Sequence, residues 1–139
     1  MSTMILILDD DAVIRGLLCE VLRDEGFQVV AGESLAELLS VAPKHADVLI
    51  TDLLVNFEPV GFEAIENIRR AIRADLPAII CTAALKQSED WKSEIARLDA
   101  HLLLKPFTID ELLETVNQAL KPAVPSPPRL PLYTLTALA

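Results

Sequence analysis

Short unbroken apolar runs alternate along this chain with longer stretches in which apolar residues return every three or four positions. Met4-Ile5-Leu6-Ile7-Leu8, Val48-Leu49-Ile50-Thr51, Ala78-Ile79-Ile80-Cys81 and Leu102-Leu103-Leu104 are of the first kind. A strand buried on both faces of a parallel sheet reads this way. Val13, Leu17, Leu18, Val21 and Leu22 are of the second kind and predict a helix over 12–25, with Gly26 placed to end it in a left-handed turn. Phe27 to Ala31 supplies another strand. Ser34-x-x-Glu37 and Thr108-x-x-Glu111 have the capping-box form and open helices, the second running to Leu120. Gly61 leads into a helix over 62–73, and Pro77 starts the fourth strand. Ser88 is placed to cap a helix ending near Leu98, and 101–105 form the fifth strand. Five strands alternating with five helices predict an α/β chain with a single doubly wound parallel sheet.

The residues just past each apolar run give the pattern its chemistry. The first runs into Asp9, Asp10 and Asp11, the second into Asp52, the third into Thr82, and the fourth into Lys105 and Pro106. Ligands of open α/β sheets bind just beyond the carboxyl ends of the strands. Adjacent carboxylates there repel one another unless a cation offsets them, and Mg²⁺ takes oxygen donors of this kind. A carboxylate can act as a nucleophile toward phosphorus, a lysine offers a compact charge for phosphoryl oxygens, and a threonine hydroxyl can donate to them. Taken singly, Asp11 reads as a helix cap, Asp52 as a loop residue, Thr82 as a strand end and Lys105 as a solvated charge. Their joint placement at four strand ends is what points to a phosphoryl site.

Composition narrows the function class. The 139 residues suit one domain, and 52% hydrophobic content argues against disorder of the whole chain. A net charge of −9 disfavours direct contact with nucleic acid or an anionic membrane surface. The apolar runs are far shorter than the roughly 20 residues of a membrane span, and Met1-Ser2-Thr3 lacks the basic start of a signal peptide. Cys19 and Cys81 lie in apolar segments without Cys-x-x-Cys spacing, as reduced core cysteines of a cytoplasmic protein do. From Lys121 the character changes. Five prolines fall within 121–131, before an apolar stretch from Leu132 to Ala139. Residues 122–139 therefore read as a Pro-rich tail, flexible or docked on the domain or a partner; the same stretch also suits the start of a linker in a longer protein.

The chain resembles the receiver domain of bacterial two-component response regulators. The resemblance covers about residues 3–121. It rests on Ile7-Leu8-Asp9-Asp10-Asp11, Leu49-Ile50-Thr51-Asp52, Cys81-Thr82-Ala83 and Leu104-Lys105-Pro106-Phe107, spaced 42, 30 and 23 residues apart from Asp10 onward. It implies a flavodoxin-like sheet in the order 2-1-3-4-5, with 1–121 as the receiver domain. It implies that Asp52 accepts phosphate from a sensor histidine kinase or phosphotransfer protein. Asp9, Asp10, Asp52 and the backbone carbonyl of Leu54 would hold Mg²⁺. Lys105 would contact the phosphoryl group, its peptide with Pro106 would be cis, and Thr82 would couple the site to the fourth helix. Such a chain is a signalling phosphoacceptor rather than an enzyme, acts on an unknown downstream protein by contact, and is a monomer or weak homodimer.

The chain departs from that family's pattern in places. Leu102 stands where an aromatic residue is usual, and His101 could replace it only through a register slip, which would turn every side chain over. Asn56 stands where a proline is common, and Gly61 comes one residue late, so the loop after Asp52 reads as longer, with Phe57 and Glu58 in the extra bend. The last helix offers Asp110, Glu111 and Glu114 rather than basic residues, which does not support the salt-bridged dimer of one large subfamily. Trp91 reads as half-buried core or as part of a partner face. Two other readings remain open. One is a receiver that binds partners without phosphoryl turnover. The other is a haloacid-dehalogenase-like phosphatase with Asp9 as nucleophile and Asp11 as general acid. Finally, Leu54 and Ala84 are apolar at positions that tune phosphate lifetime in the family, and neither side chain can orient an attacking water. Autodephosphorylation is therefore expected to be slow, with a half-life of many minutes or longer; a decay of the phosphorylated chain within seconds would overturn this.

Overall fold

A computed structural model describes residues 2–55, 58–83 and 89–121. The elements run β1 (Met4–Leu8), α1 (Ala12–Asp24), β2 (Gln28–Gly32), α2 (Leu35–Val41), β3 (Val48–Asp52), α3 (Val60–Ala71), β4 (Ala78–Thr82), α4 (Glu89–Arg97), β5 (His101–Leu104) and α5 (Ile109–Leu120). The five strands form one parallel sheet in the order β2-β1-β3-β4-β5. This is the doubly wound architecture that the alternation of runs predicts.

Strand alternation divides the core in two. Ile5, Ile7, Val48, Ile50, Ile79, Cys81 and Leu103 face one side, where Leu18 and Leu22 of α1 and Leu112 and Val116 of α5 cover them. Leu6, Leu8, Leu49, Ala78 and Ile80 face the other, against Leu38 of α2 and Ala64, Ile65 and Ile68 of α3, with Trp91 and Ile95 of α4 packed half-buried at the margin. Each fully buried aliphatic side chain contributes roughly 1.5–3 kcal/mol of transfer free energy.

The helix ends obey their local chemistry. Asp11 caps α1, its Oδ1 accepting from Val13 N at 2.9 Å and Ile14 N at 3.2 Å. Ser34 Oγ accepts from Glu37 N at 3.1 Å, and Thr108 Oγ1 accepts from Glu111 N at 3.0 Å. Gly26, at φ 95°, ends α1 while Phe27 N donates back to Leu22 O. β2 begins one residue later than the sequence pattern suggests, because Phe27 serves that turn and packs beside the α1–α5 core.

The largest difference from expectation is at α3. It starts at Val60, two residues early, so that Gly61 is buried in the first turn instead of preceding the helix. Gly61 N donates to Leu53 O at 3.0 Å, and a Cβ there would stand 2.6 Å from Asp52 O and 2.9 Å from Leu53 Cα. No side chain fits; the glycine lets α3 press against the backbone that carries Asp52. Before it, Val55 and Glu58 form an isolated antiparallel bridge, with Val55 N donating to Glu58 O at 2.9 Å and Glu58 N to Val55 O at 3.2 Å. The expectations for Asn56, Phe57, Ala84, Ser88 and the tail 122–139 lie outside the described residues.

Gly61→Ala is expected to destabilise the domain by roughly 1–3 kcal/mol, as overpacking against backbone does. Gly16→Ala, on the exposed face of α1 with open space around it, is expected to stabilise by about 0.5–1 kcal/mol through helix propensity. Urea unfolding of the two variants checks both signs; a neutral Gly61→Ala contradicts the close approach.

Candidate functional site at the carboxyl edge of the sheet

β1, β3, β4 and β5 deliver their last residues to one edge. Register pairs Leu8 with Thr51, Asp52 with Cys81, and Thr82 with Leu104, so Asp9, Asp52, Thr82 and Lys105 arrive at neighbouring strand ends. Among the described residues, the buried polar or charged ones are Asp9, Thr51 and Thr82. Lys105 Nζ lies between two carboxylates, donating to Asp9 Oδ2 at 3.3 Å and Asp52 Oδ2 at 3.2 Å. Asp10 completes the group: Asp9, Asp10 and Asp52 each bring one carboxylate oxygen to within 4.8 Å of the others.

Backbone contacts hold these side chains in place. Asp9 Oδ1 accepts from Asp11 N at 2.9 Å, and Asp9 N donates to Gly32 O at 3.2 Å. Asp52 Oδ1 accepts from Leu54 N at 3.3 Å. Lys105 N donates to Thr82 O at 2.9 Å, which ties β5 to β4 at the site, and the Lys105-Pro106 peptide is cis as the resemblance implies. Arg15 was not legible as a site residue. Its Nη1 donates to the backbone carbonyl of Asp9 at 2.8 Å, closing the acidic loop from α1. The only signal for it in the sequence is a cation one turn past the Asp11 cap, and surface arginines are too common there to stand out.

Electrostatics reflect burial and crowding. Burial raises the pKa of Asp52 above its ordinary value; the Lys105 ammonium pulls it back, the Asp9 charge adds to the rise, and the net direction is up. Burial alone would lower Lys105, but the Asp52 and Asp9 carboxylates outweigh it and raise the group. Cys81 lies beside Asp52 on the same face of the sheet. Burial pushes its thiol up to about 12, so it stays protonated and is no rival nucleophile.

The donor set fits a hard divalent cation. All three candidate side chains are carboxylates, two of them only partly buried, and no soft donor stands among them. Lys105 lies within 3.3 Å of two of these carboxylates, Asp9 and Asp52. Asp11, by contrast, is committed to capping α1, and Asp110 and Glu111 are exposed in the first turn of α5. The phosphatase reading needs Asp11 as a general acid, and its side chain is instead held in the α1 cap.

Thr82 is buried on the α3–α4 side of the sheet, whereas Asp52 and Cys81 belong to the α1–α5 side. β5 keeps its register, with His101 opposite Ile79 and Leu102 opposite Ile80. Leu102 therefore shares the face of Thr82, and His101 points the other way. The slip that would bring His101 beside Thr82 does not occur. Glu58 is an exposed loop charge.

Comparison with known proteins agrees with this geometry. The family model described as "Response regulator receiver domain" matches residues 5–117. The chain is 32% identical over 121 residues to the chemotaxis protein CheY of Bacillus subtilis, covering 86% of this chain and 99% of that protein. It is 33% identical over 123 residues to the KDP operon transcriptional regulatory protein KdpE of Escherichia coli, covering 86% of this chain but only 52% of KdpE. Among solved structures, the chemotaxis protein CheY4 of Vibrio cholerae superposes with a TM-score of 0.73 at 28% identity, over 86% of this chain and 99% of that one.

The raised pKa of Asp52 sets the sign of its effect on stability. A carboxyl whose folded-state pKa exceeds its unfolded value of 3.8 destabilises the fold increasingly as pH rises through the window above 3.8, and the penalty is complete once pH has passed the folded-state pKa. Asp52→Asn is thus expected to raise stability in EDTA at pH 7 by roughly 1 kcal/mol, and the gain should shrink toward pH 4. Millimolar Mg²⁺ should raise the melting temperature of the unsubstituted chain more than that of Asp52→Asn. Thermal melts with and without Mg²⁺ check both; a destabilised Asp52→Asn in EDTA contradicts the electrostatic account.

Proposed function

The chain belongs to the response regulator receiver domain family, and from that premise we propose that it is a Mg²⁺-dependent phosphoacceptor of a two-component phosphorelay, with Asp52 as the accepting residue. One observation carries the reading: the Lys105 ammonium bridges Asp9 and Asp52 within a cluster of three carboxylates at the carboxyl edge of the sheet. A purely structural ion pair needs one partner carboxylate; carboxylates that converge beside an ammonium at the sheet edge suit a cation and a phosphoryl group.

In the proposed reaction an oxygen of the Asp52 carboxylate bonds to phosphorus as the phosphorus–nitrogen bond of a partner's phosphohistidine breaks. The electron pair returns to the imidazole nitrogen. Lys105 Nζ, already within 3.2 Å of the accepting carboxylate, transfers its contact to a phosphoryl oxygen and steadies the charge that develops there. Thr82 donates its hydroxyl to another phosphoryl oxygen. Asp9, Asp10, Asp52 and the Leu54 carbonyl would hold Mg²⁺, which would supply further positive charge for the transfer. The donor is a sensor histidine kinase or phosphotransfer protein in the cytoplasm. Output passes to a downstream protein by contact from a monomer or weak homodimer, with residues 1–121 as the receiver and 122–139 as a tail. Among the described residues, no helix is long and apolar enough to cross a membrane.

One feature favours a second reading. Leu102, not an aromatic residue, accompanies Thr82 on its face, so the domain lacks the usual partner for a phosphorylation-driven switch and could serve by partner binding alone. Acetyl phosphate in Mg²⁺ and then peptide mass spectrometry separate the readings. Phosphoacceptance predicts one phosphoryl adduct on Asp52, absent from Asp52→Asn and formed about a hundredfold more slowly in Lys105→Ala, the range for losing one charge-stabilising donor. No adduct, together with no change in Trp91 fluorescence on adding beryllofluoride and Mg²⁺, favours binding alone.

A further inference from the structure

The peptide group between Asp9 and Asp10 joins two of the three carboxylates of the acidic cluster. Its carbonyl oxygen accepts from Arg15 Nη1 at 2.8 Å. Arg15 is rooted in the same loop, since its backbone N donates to Asp11 O at 2.9 Å in the turn that the Asp11 side chain caps. Leu18, Cys19 and Leu22 bury the rest of α1 against the sheet. The guanidinium thus reaches back from a fixed helix to one backbone atom of the site.

We propose that Arg15 is a positioning residue for the cation site: by holding the Asp9–Asp10 peptide, it keeps the Asp10 carboxylate beside those of Asp9 and Asp52. That role rests on the Mg²⁺ reading above and deepens it. Planarity gives the first reason. The Asp9 carbonyl and the N and Cα of Asp10 lie in one rigid plane, so a grip on the oxygen sets the direction in which the chain enters Asp10. The anchors of Asp9 give the second. Its N donates to Gly32 O, its Oδ1 accepts from Asp11 N, and its Oδ2 accepts from Lys105 Nζ. A further hold on the Asp9 carbonyl adds little to Asp9 and acts on the residue after it. Burial gives the third. Asp9 is buried and Asp10 only partly so, which leaves packing less hold on Asp10.

Charge and positioning predict opposite signs. On Coulomb grounds alone a guanidinium near the site repels an incoming cation, so its removal would tighten Mg²⁺ binding. Where the contact orients a ligand, its removal loosens the donor set and weakens binding, by about tenfold for a residue of this kind. The Arg15 bond goes to a backbone carbonyl rather than to Asp52 or Lys105, so the transfer step itself is spared once Mg²⁺ saturates. Arg15 also stands outside the lining of an apolar groove of about 410 Å³, which Ile14, Leu17 and Val21 form with Pro106, Phe107 and Ile109 beside Lys105. Its substitution therefore leaves the walls of that groove in place.

Arg23 supplies the control, because its Nη2 makes the same kind of contact, to Val29 O at 3.1 Å, at the other end of α1. Calorimetric titration of Mg²⁺ into the full chain is expected to show Arg15→Gln binding about tenfold more weakly than the unsubstituted chain, and Arg23→Gln binding equally well. Arg15→Met keeps the aliphatic stem and is expected to repeat the loss should glutamine disturb the helix; thermal melts in EDTA establish that each variant is folded. In acetyl phosphate labelling, the Mg²⁺ concentration for half-maximal rate should rise by the same factor in Arg15→Gln, with the plateau rate kept. Unchanged or tighter Mg²⁺ binding in both Arg15 variants overturns the positioning role and leaves the cation reading standing. So does an equal loss in Arg23→Gln, or a lowered plateau with Mg²⁺ affinity kept. No Mg²⁺ binding by the unsubstituted chain overturns the cation reading, and the positioning role with it.

Discussion

The ammonium of Lys105 between Asp9 and Asp52 is the contact on which the site is organised. Parallel strands all end at the same edge, so a sheet of this topology gathers whatever its strands carry there. In this chain they carry like charges. Coulomb repulsion between carboxylates a few ångströms apart, partly out of water, would splay the loops after β1 and β3. One lysine from β5 holds the two loops together across 96 and 53 residues of sequence separation. It offsets charge on both carboxylates, and the oxygens of Asp9, Asp10 and Asp52 that converge beside it are donors suited to a hard cation.

Backbone geometry supports this arrangement more than side-chain packing does. Arg15 holds the Asp9 carbonyl, Asp11 N reaches back to the Asp9 carboxylate, and Leu54 N reaches the Asp52 carboxylate. Gly61 lets the first turn of α3 lie on the Asp52 carbonyl. Loops secured in this way keep the carboxylates near one another before any ligand arrives, so less ordering remains to be done on binding.

The elements and the site residues were largely legible because each depends on local pattern. Continuous apolar runs gave the buried strands, three- and four-residue spacing gave α1 and α5, and Ser34 and Thr108 marked their helix starts through one side-chain hydrogen bond each. What the pattern missed depends on contacts distant in sequence. The early start of α3 comes from Gly61 meeting the β3 backbone, and Pro59 before it makes no side-chain cap that could have announced it. The end of α4 rests on Asp99 at φ 51°, a left-handed position where the sequence has no glycine. Arg15 differs from other surface arginines only in having the Asp9 carbonyl within reach. The apolar groove needs α1 and α5 side by side, which no single helix pattern reveals.

The two faces of the sheet divide the tasks of the domain. Asp52 belongs to the face covered by α1 and α5, where an apolar groove adjoins Lys105. Thr82 belongs to the opposite face with Ile80, Leu102 and the α4 side chains Trp91 and Ile95. A phosphoryl group on Asp52 would be approached from the first face and sensed on the second, through the one strand that separates Asp52 from β5. An aromatic ring beside Thr82 can swing as a unit between buried and exposed positions. Leu102 is shorter and has no polar group to reward an outward position, and it is already partly exposed. On this face Leu102 lies opposite Ile80, and Trp91 and Ile95 of α4 are half-buried at its margin. The two faces of the sheet thus carry different parts of the site: Asp52 and Cys81 lie on one, Thr82 and Leu102 on the other.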